Sequence, residues 1–257
     1  MDFSFVQILL VLVVTFIAAI DQFNFLESLY RPIVVGPVVG LILGDFNTGL
    51  IIGASYELMM IGAMPVGGAQ PPNAVIGGIM ATVFGIGLGI PVDSALPLAI
   101  PFALLGQYAV TVLFTVCSPL MVKADKYAAE GNTSAIEKLN YITMACLGLF
   151  FSAIVLIGLL FGQAVGESLT TALPAWVWTG LSAAGGMMPA LGFAMLMKVM
   201  LSKKHMIFLA IGFVLVAYLN LPLLAVAIVG VAMAVYDFQI HTENNNRSKG
   251  VDVSDGI

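Results

Sequence analysis

The stretch FSFVQILLVLVVTFIAAI, residues Phe3–Ile20, contains no charged side chain. A helix that crosses the hydrocarbon core of a bilayer needs about 20 mostly apolar residues. A cleaved signal peptide would begin with basic residues and end at a small-residue cleavage site before a soluble domain, and neither feature is present. We therefore predict that Phe3–Ile20 is a retained first membrane span.

Uncharged stretches of similar or greater length recur along the rest of the chain. They are Leu58–Val92, Ser94–Val122, Leu139–Gly166, Ser168–Met197 and His205–Tyr236. Hydrophobic residues make up 60% of the sequence and charged residues 9%, whereas soluble domains have about a quarter charged residues. The composition predicts an all-α polytopic protein of the lipid bilayer, and it disfavours a soluble protein with a very apolar core. The net charge of −5 argues against a nucleic-acid partner.

Polar sequence divides the chain into two apolar halves, 1–122 and 139–238. The division is a predicted loop, KADKYAAEGNTSAIEK at Lys123–Lys138, and the polar tail 239–257 is predicted to be disordered. Because Lys and Arg favour the cytoplasmic side, the loop, the lysines of 198–204 and the tail are all expected inside. The first half has too few basic residues to fix its orientation.

The stretch GGAQPPN, Gly67–Asn73, interrupts an uncharged run with two glycines and two prolines. At membrane depth, non-helical backbone is tolerated only where it is buried in protein or lines a cavity. Gln70 and Asn73 would place amides beside that backbone, as in transporter sites built from broken helices. A second expected break, in AAGGMMPALG at Ala183–Gly192, suggests broken or re-entrant helices in both halves and a possible inverted repeat.

Small residues at intervals of four precede this break. They are Gly36, Gly40 and Gly44, followed after DFNT by Gly49 and Gly53. This spacing lets helix backbones approach closely in lipid, and close packing alone could explain it. Glu57 follows Gly53 at the same interval and on the same helix face. A carboxylate in the middle of a membrane helix costs about 3 kcal/mol, so we expect a functional role for Glu57.

Two other acidic residues of the first half, Asp21 and Asp45, could each be either part of a binding site or an ordinary structural residue. Asp21 and Asn24 share a helix face if the helix persists there, but Asp21 could equally mark the end of a span. Asp45 could be an ordinary helix cap. A carboxylate with amides and without a cluster of basic residues suits a neutral polyhydroxyl compound such as a sugar, although a cation would also fit Glu57. The candidate binding residues are Glu57, Gly67, Gly68, Ala69, Gln70, Asn73, Asp21 and Asn24.

No catalytic residue, metal site or cofactor is expected. Cys117 and Cys146 both lie in apolar runs, where cysteine is more often a small buried hydrophobe than half of a disulfide or metal site. His205 and His241 lie outside the broken-helix stretches and are expected at the surface.

The segment LYRPIVVGPVVGLILGDFNTGLIIGASYELMMIGAMPVGGAQPPN, Leu29–Asn73, resembles enzyme IIC of the mannose–sorbose family of the bacterial sugar phosphotransferase system. The Arg-Pro pair, the GLILGD turn followed by TG, the helix carrying Glu57 and the Gly-Ala loop occur in the family's order. The resemblance extends to about Phe238 and includes AGGMMPALGFAMLMK.

The resemblance implies a sugar-translocating subunit of the bacterial inner membrane. Such subunits pair with an enzyme IID membrane subunit, and the pairs assemble as trimers. Cytoplasmic IIA and IIB subunits pass phosphate to the entering sugar, so IIC itself carries no phosphorylated residue. Carried over by motif, Glu57 and Gly67–Asn73 would contact the sugar.

The sequence departs from the mannose and sorbose subtypes at two places. It has FLESLYRP where mannose-type members have DEFQ before the Arg-Pro pair, and it has Asn73 where they end the loop with an acid. GAQPPN and the final DGI resemble the N-acetylgalactosamine or galactosamine branch. An ion-coupled secondary transporter of a neutral polar solute is the alternative function, and a scaffold subunit would leave Glu57 unexplained.

Overall fold

A computed structural model describes residues 3–24, 26–63, 71–172, 174–202 and 205–251 of the chain. Across these residues the chain forms nine α-helices and no β-strand, which confirms the all-α class. The helices are α1 (Phe5–Asn24), α2 (Pro32–Leu43), α3 (Phe46–Met60), α4 (Ala74–Leu88), α5 (Val92–Ala129), α6 (Thr133–Ala172), α7 (Ala175–Met200), α8 (Met206–Ala217) and α9 (Leu223–Val251).

In the described part of the chain, five helical segments are long and apolar enough to cross a membrane. They are Phe5–Asn24, Val92–Ala129, Thr133–Leu160, Ala175–Met200 and Leu223–Ile240. The first of them overlaps the predicted first span, Phe3–Ile20, from Phe5 onward and continues four residues beyond it. The chain is therefore a multi-pass membrane protein, as its composition predicts.

Helices α2 and α3 form a hairpin in which backbone packs directly on backbone. A Cβ built at Gly36 would lie 2.7 Å from the Gly49 carbonyl oxygen and 2.7 Å from the Gly53 Cα. A Cβ at Gly40 would lie 2.8 Å from the Gly49 Cα. These separations are far shorter than the 3.5–4.0 Å or so at which carbon atoms pack best. The four glycines therefore serve close helix packing, one of the two readings of their spacing.

The turn of this hairpin uses one glycine and one aspartate. Gly44 ends α2 with φ at 96°, in the left-handed region that glycine adopts without strain. Asp45 then caps α3, because its side chain accepts a hydrogen bond from the backbone N–H of Thr48 at 3.0 Å. Asp45 is thus a helix cap, and a direct role in ligand binding has no support from its contacts.

Helix α4 lies at the centre of the residues 1–197, which form one compact unit. Every residue from Val75 to Gly85 is buried, and α4 contacts α1, α2, α3, α5 and α6. A helix that is apolar on all sides is expected in such a position. The start of α4 is consequently surrounded by the ends of several other helices.

Residues 198–257 form a second unit, whose described helices α8 and α9 contact each other. The chain is non-helical between them, at 218–222, and Asn220 has φ at 47°. Helix α9 continues to Val251, so the first part of the tail 239–257 is helical rather than disordered. A helix already begun in the apolar segment adds each further residue at little cost.

Two interruptions expected in the chain are helical instead. The Lys123–Lys138 segment is mostly the end of α5 and the start of α6, with a short turn at Gly131, because its alanines, lysines and glutamates are good helix formers. The expected break at Ala183–Gly192 is not seen either, because α7 runs through Pro189. A proline in a membrane helix removes one backbone hydrogen bond and is tolerated there.

Candidate functional site

The ends of several helices enclose a cavity of about 600 Å³ inside the first unit. Pockets that bind small molecules have volumes of about 300–1,000 Å³. The cavity is lined by Gln22, Phe23, Tyr30, Arg31, Pro32, Glu57, Met60, Ile61, Ala63, Pro71, Pro72, Asn73, Ala74, Gln107, Val110 and Phe114. Polar side chains and aromatic rings therefore face the same space.

Glu57 is held at the N-terminus of α2. Its Oε1 lies 3.1 Å from Nη1 of Arg31, and its Oε2 accepts a hydrogen bond from the backbone N–H of Ile33 at 3.4 Å. The first N–H groups of a helix have no partner within the helix, and a carboxylate there is stabilised by the helix dipole. The close packing of α2 on α3 brings Glu57 to this position, since it continues the four-residue spacing of Gly49 and Gly53.

Arg31 is the residue directly before α2 and its side chain is about half exposed, at 56%, whereas that of Glu57 is only 19% exposed. Proline at the first helical position, here Pro32, fixes the direction in which the chain enters α2. The pair thus presents one cationic and one anionic group to the cavity. Together these groups can donate and accept hydrogen bonds to ligand hydroxyls.

Asp21 organises the connection that brings Arg31 to the cavity. It is fully buried. Its two carboxylate oxygens accept hydrogen bonds from the backbone N–H groups of Leu26 at 2.8 Å, Ser28 at 3.0 Å and Tyr30 at 3.0 Å. A buried carboxylate is tolerated when it is this fully hydrogen-bonded. Asp21 therefore positions the wall of the cavity and does not line it.

Asn73 caps α4 and ties it to α1. Its side-chain oxygen accepts a hydrogen bond from the backbone N–H of Ile76 at 3.0 Å, and its amide nitrogen donates to Oε1 of Gln22 at 3.2 Å. Its backbone N–H donates to the carbonyl oxygen of Ala103 at 3.0 Å. Asn73 therefore holds together three helices at the point where they meet the cavity.

Aromatic rings form another part of the wall. Phe23 at the end of α1 and Phe114 in α5 meet edge to face, with ring centroids 5.4 Å apart. Tyr30 also lines the cavity. Rings of this kind can pack on the apolar C–H face of a sugar while polar groups bind its hydroxyls.

The structure brings together some of the predicted site residues and separates others. Glu57 and Asn73 line the cavity, Asp21 lies behind it, and Asn24 is exposed and not among the lining residues. Gly67, Gly68, Ala69 and Gln70 lie outside the described residues. The chain is non-helical on both sides of that segment, at 61–63 and 71–73, as the predicted break requires.

Sequence reasoning missed several lining residues, among them Gln22, Arg31 and Gln107. A signal was available for each one. Gln22 lies between Asp21 and Asn24 at the end of the first apolar run, and Gln107 is the single amide side chain of the run Ser94–Val122. Arg31 is the single basic residue of the first half, which also contains Glu57. A buried or membrane-depth acid is normally paired, so Arg31 was its natural partner.

A second cavity, of about 540 Å³, lies in the other unit between α8 and α9. Its lining is mainly apolar, with His205 and Asp237 as its ionisable side chains. It offers few groups that could orient a polyhydroxyl ligand, so the first cavity is the stronger candidate.

Comparison with known proteins gives the same assignment along nearly the whole chain. Residues 5–236 match the family model described as the sorbose-specific IIC component of the phosphotransferase system. N-acetylgalactosamine permease IIC component 1 of Escherichia coli (strain K12) is 37% identical over 238 residues, which cover 92% of this chain and 89% of that protein. The mannose-specific EIIC component of the same strain is 33% identical, with 95% and 92% covered.

Solved structures agree with these sequence matches. A structure titled only as a membrane protein superimposes with a TM-score of 0.84 at 31% identity, covering 95% of this chain and 99% of that one. A structure of the mannose transporter ManYZ in complex with microcin E492 gives a TM-score of 0.59 at 32% identity, with 93% and 97% covered. On both sequence and fold, the chain belongs to the family of sorbose-type IIC components and is a sugar-translocating membrane subunit of the phosphotransferase system.

Proposed function

We propose that this chain binds a hexose, or an N-acetyl or amino hexose, in the cavity between α1, α3, α4 and α5, and moves it inward. The observation that carries the proposal is the combination of groups on the cavity wall. Glu57 and Arg31 can bind hydroxyls, and Phe23 and Phe114 offer an aromatic surface. Such a combination of a few polar groups with aromatic rings is typical of sugar sites.

The segment Gly67–Gln70 belongs to the proposed site. The described residues on either side of the segment 64–70, Ala63 and Pro71, both line the cavity. This segment contains two glycines and an amide, and glycines allow close approach of the backbone to a ligand. Asn73 completes the proposed set by fixing the start of α4, and Asp21 holds the turn that carries Tyr30.

The chain acts in this proposal as one part of a complex of the bacterial inner membrane. An enzyme IID subunit is its membrane partner, the pairs form a trimer, and IIA and IIB supply the phosphoryl group. IIB carries out the phosphoryl transfer. The relatives support a permease role: one is described as an N-acetylgalactosamine permease component, and another is part of a structure titled as a mannose transporter.

An uptake experiment separates this proposal from an ion-coupled carrier. The chain is expressed with and without its IID partner, in cells that have or lack the general phosphocarrier, and uptake of labelled hexoses and N-acetyl or amino hexoses is followed. We expect uptake only when both the partner and the phosphocarrier are present. Uptake by the chain alone, dependent on an ion gradient, would instead establish the secondary transporter.

A substitution at Glu57 tests the site itself. Glu57→Gln removes the charge that pairs with Arg31 and weakens the acceptor for Ile33, so we expect uptake to be abolished while the complex still assembles. Glu137→Gln is the matched control, because this acid is exposed on α6 and does not line the cavity. Normal uptake by E57Q would place the sugar elsewhere in the protein.

A further inference from the structure

We propose that α7 positions one wall of the cavity, through a contact between Gly192 and Gly62. This wall is the end of α3 and the turn after it, where Met60, Ile61 and Ala63 line the cavity. Gly192 is not among the described lining residues, so it acts on a bound sugar through that wall. The inference rests on the proposed function, because it gives α7 a task in binding the sugar.

The contact between the two glycines joins backbone to backbone. A Cβ built at Gly62 would overlap the Gly192 carbonyl oxygen and lie 2.5 Å from the backbone nitrogen of Leu196. A Cβ built at Gly192 would overlap the carbonyl oxygen of Leu58 and lie 2.6 Å from that of Met59. These separations are far shorter than the 3.5–4.0 Å or so at which non-bonded atoms pack best. Each glycine therefore lets α7 approach the end of α3 more closely than any side chain would allow.

The end of α3 offers backbone groups that suit such a neighbour. The last four carbonyl groups of a helix have no partner within the helix, and α3 ends at Met60. Leu58 and Met59 belong to this set, and their carbonyl oxygens lie next to Gly192. Weak hydrogen bonds from Cα–H groups to carbonyl oxygens recur where helices pack closely. Gly192 thus covers the end of the helix that carries Glu57.

The described contacts of α7 are concentrated around Gly192. Gly62 and Gly192 are both buried, and Gly192 is the one buried residue among those of α7 whose side chains are described. Met188, one turn earlier, packs against the core. Still earlier in α7, a Cβ at Gly180 or at Gly186 would meet nothing within 4 Å. A change at Gly192 therefore acts first on the end of α3.

The end of α3 is consequently held from two directions. Helix α2 packs on it through the glycine contacts at Gly49 and Gly53, and α7 packs on it at Leu58 and Met59. Glu57 lies between these two contacts in the sequence. Binding groups have to be held within about 0.5 Å of their working geometry. An alanine at Gly192 would displace the wall by about 1 Å, since it meets backbone atoms that cannot rotate away.

Uptake kinetics test the effect on sugar binding. Gly192→Ala is compared with Gly186→Ala, which makes the same change in the same helix but in open space. Uptake of labelled mannose and N-acetylgalactosamine is measured in cells that contain the partner subunits. We expect G192A to raise the apparent KM by about tenfold and G186A to leave it unchanged. A purely structural defect would instead lower the maximal rate, through a smaller amount of complex, and leave KM as it was.

The position of the wall is also measured without any sugar. Ala63→Cys places a thiol on the cavity wall, in a chain whose Cys117 and Cys146 have been replaced by serine. The complex is purified in detergent, and the rate at which a soluble thiol reagent labels that position is followed. We expect G192A to change this rate several-fold and G186A to leave it unchanged.

A second pair of variants covers the case in which G192A does not assemble. Met188→Ala removes a partly buried side chain that packs against the core, whereas Met187→Ala changes an exposed neighbour. M188A loosens the attachment of α7 without crowding it, so it should change the labelling rate at Ala63→Cys. M187A should not change that rate.

The outcomes distinguish the role of α7 from the proposed function. An unchanged KM and labelling rate in G192A, or an unchanged labelling rate in M188A if G192A does not assemble, would overturn the role of α7. Equal effects of G192A and G186A would overturn it as well. If the wild type takes up neither sugar while the labelling rate still responds to G192A, the proposed function fails and the positioning of the wall by α7 stands.

Discussion

Replacing Gly49 by alanine would test whether the backbone contact between α2 and α3 holds Glu57 in place. A Cβ at Gly49 would lie 2.6 Å from the Gly36 carbonyl oxygen and 2.7 Å from the Gly40 Cα. Both are backbone atoms, so no side chain can rotate away. Because carbon atoms pack best about 3.5–4.0 Å apart, the two helices would have to separate by about 1 Å.

The expected cost follows from two opposing terms. Overpacking of this kind costs about 1–3 kcal/mol, while alanine in a helix gains about 1 kcal/mol over glycine. The packing term is the larger, so we expect a net loss of stability. The hydrogen bond from Ile33 to Glu57 is already 3.4 Å long, and a separation of the helices would break it. Sugar uptake should therefore fall more than the amount of assembled complex.

The assay pairs Gly49→Ala with Gly180→Ala in α7. A Cβ at Gly180 meets nothing within 4 Å, so this control makes the same chemical change in open space. Melting of the purified chain in detergent should show a lower apparent melting temperature for G49A, by about 2–4 °C for each kcal/mol lost, and an unchanged or higher one for G180A. A G49A protein that melts and transports like the wild type would refute the packing argument.

The remaining predictions concern three buried polar side chains. Asn73→Ala should lower the free energy of unfolding by about 0.5–2 kcal/mol through loss of the α4 cap, and it should abolish uptake. Asn73→Ser should recover most of the stability, because serine also caps helices. Equal melting temperatures of the two variants would contradict the capping role. Asp21→Ala leaves three backbone N–H groups without an acceptor, and each N–H group that stays buried costs about 1–3 kcal/mol. The alanine variant should therefore be far less stable than Asp21→Asn. Similar unfolding of the two variants would count against the role of Asp21 in the turn. The Tyr56 hydroxyl is buried without a partner among the described residues, and a Cβ at Gly77 would overlap it. Tyr56→Phe should therefore raise the melting temperature slightly and partly rescue Gly77→Ala, and a destabilised Y56F would show that the hydroxyl has a partner.

Features that depend on spacing along one helix could be predicted from the sequence. The intervals between Gly36, Gly40, Gly49 and Gly53 allowed close packing, and Glu57 at the next interval had to lie on the same face. That Asp45 could cap a helix was also predictable, because its hydrogen-bond donor, the N–H of Thr48, is only three residues further along the chain. Such contacts follow from helix geometry alone.

Features that depend on the meeting of distant segments could not be predicted in the same way. Gln22 and Asn73 are far apart in sequence, and their hydrogen bond requires α1 and α4 to be neighbours. The approach of Arg31 to Glu57 requires the turn that Asp21 stabilises. Composition also misled at Ala183–Gly192, because glycine and proline permit a break in a membrane helix but do not impose one.

The hairpin of α2 and α3 has a consequence for how transport responds to the membrane potential. Moving one elementary charge across the membrane costs or releases about 2.3 kcal/mol per 100 mV. Arg31 and Glu57 are fixed to helices whose backbones are in direct contact, so neither helix can slide without the other. Any displacement of this end of the hairpin moves both charges together and transfers no net charge from the pair. With a neutral sugar bound, the Arg31–Glu57 pair would therefore add nothing to the voltage dependence of that step.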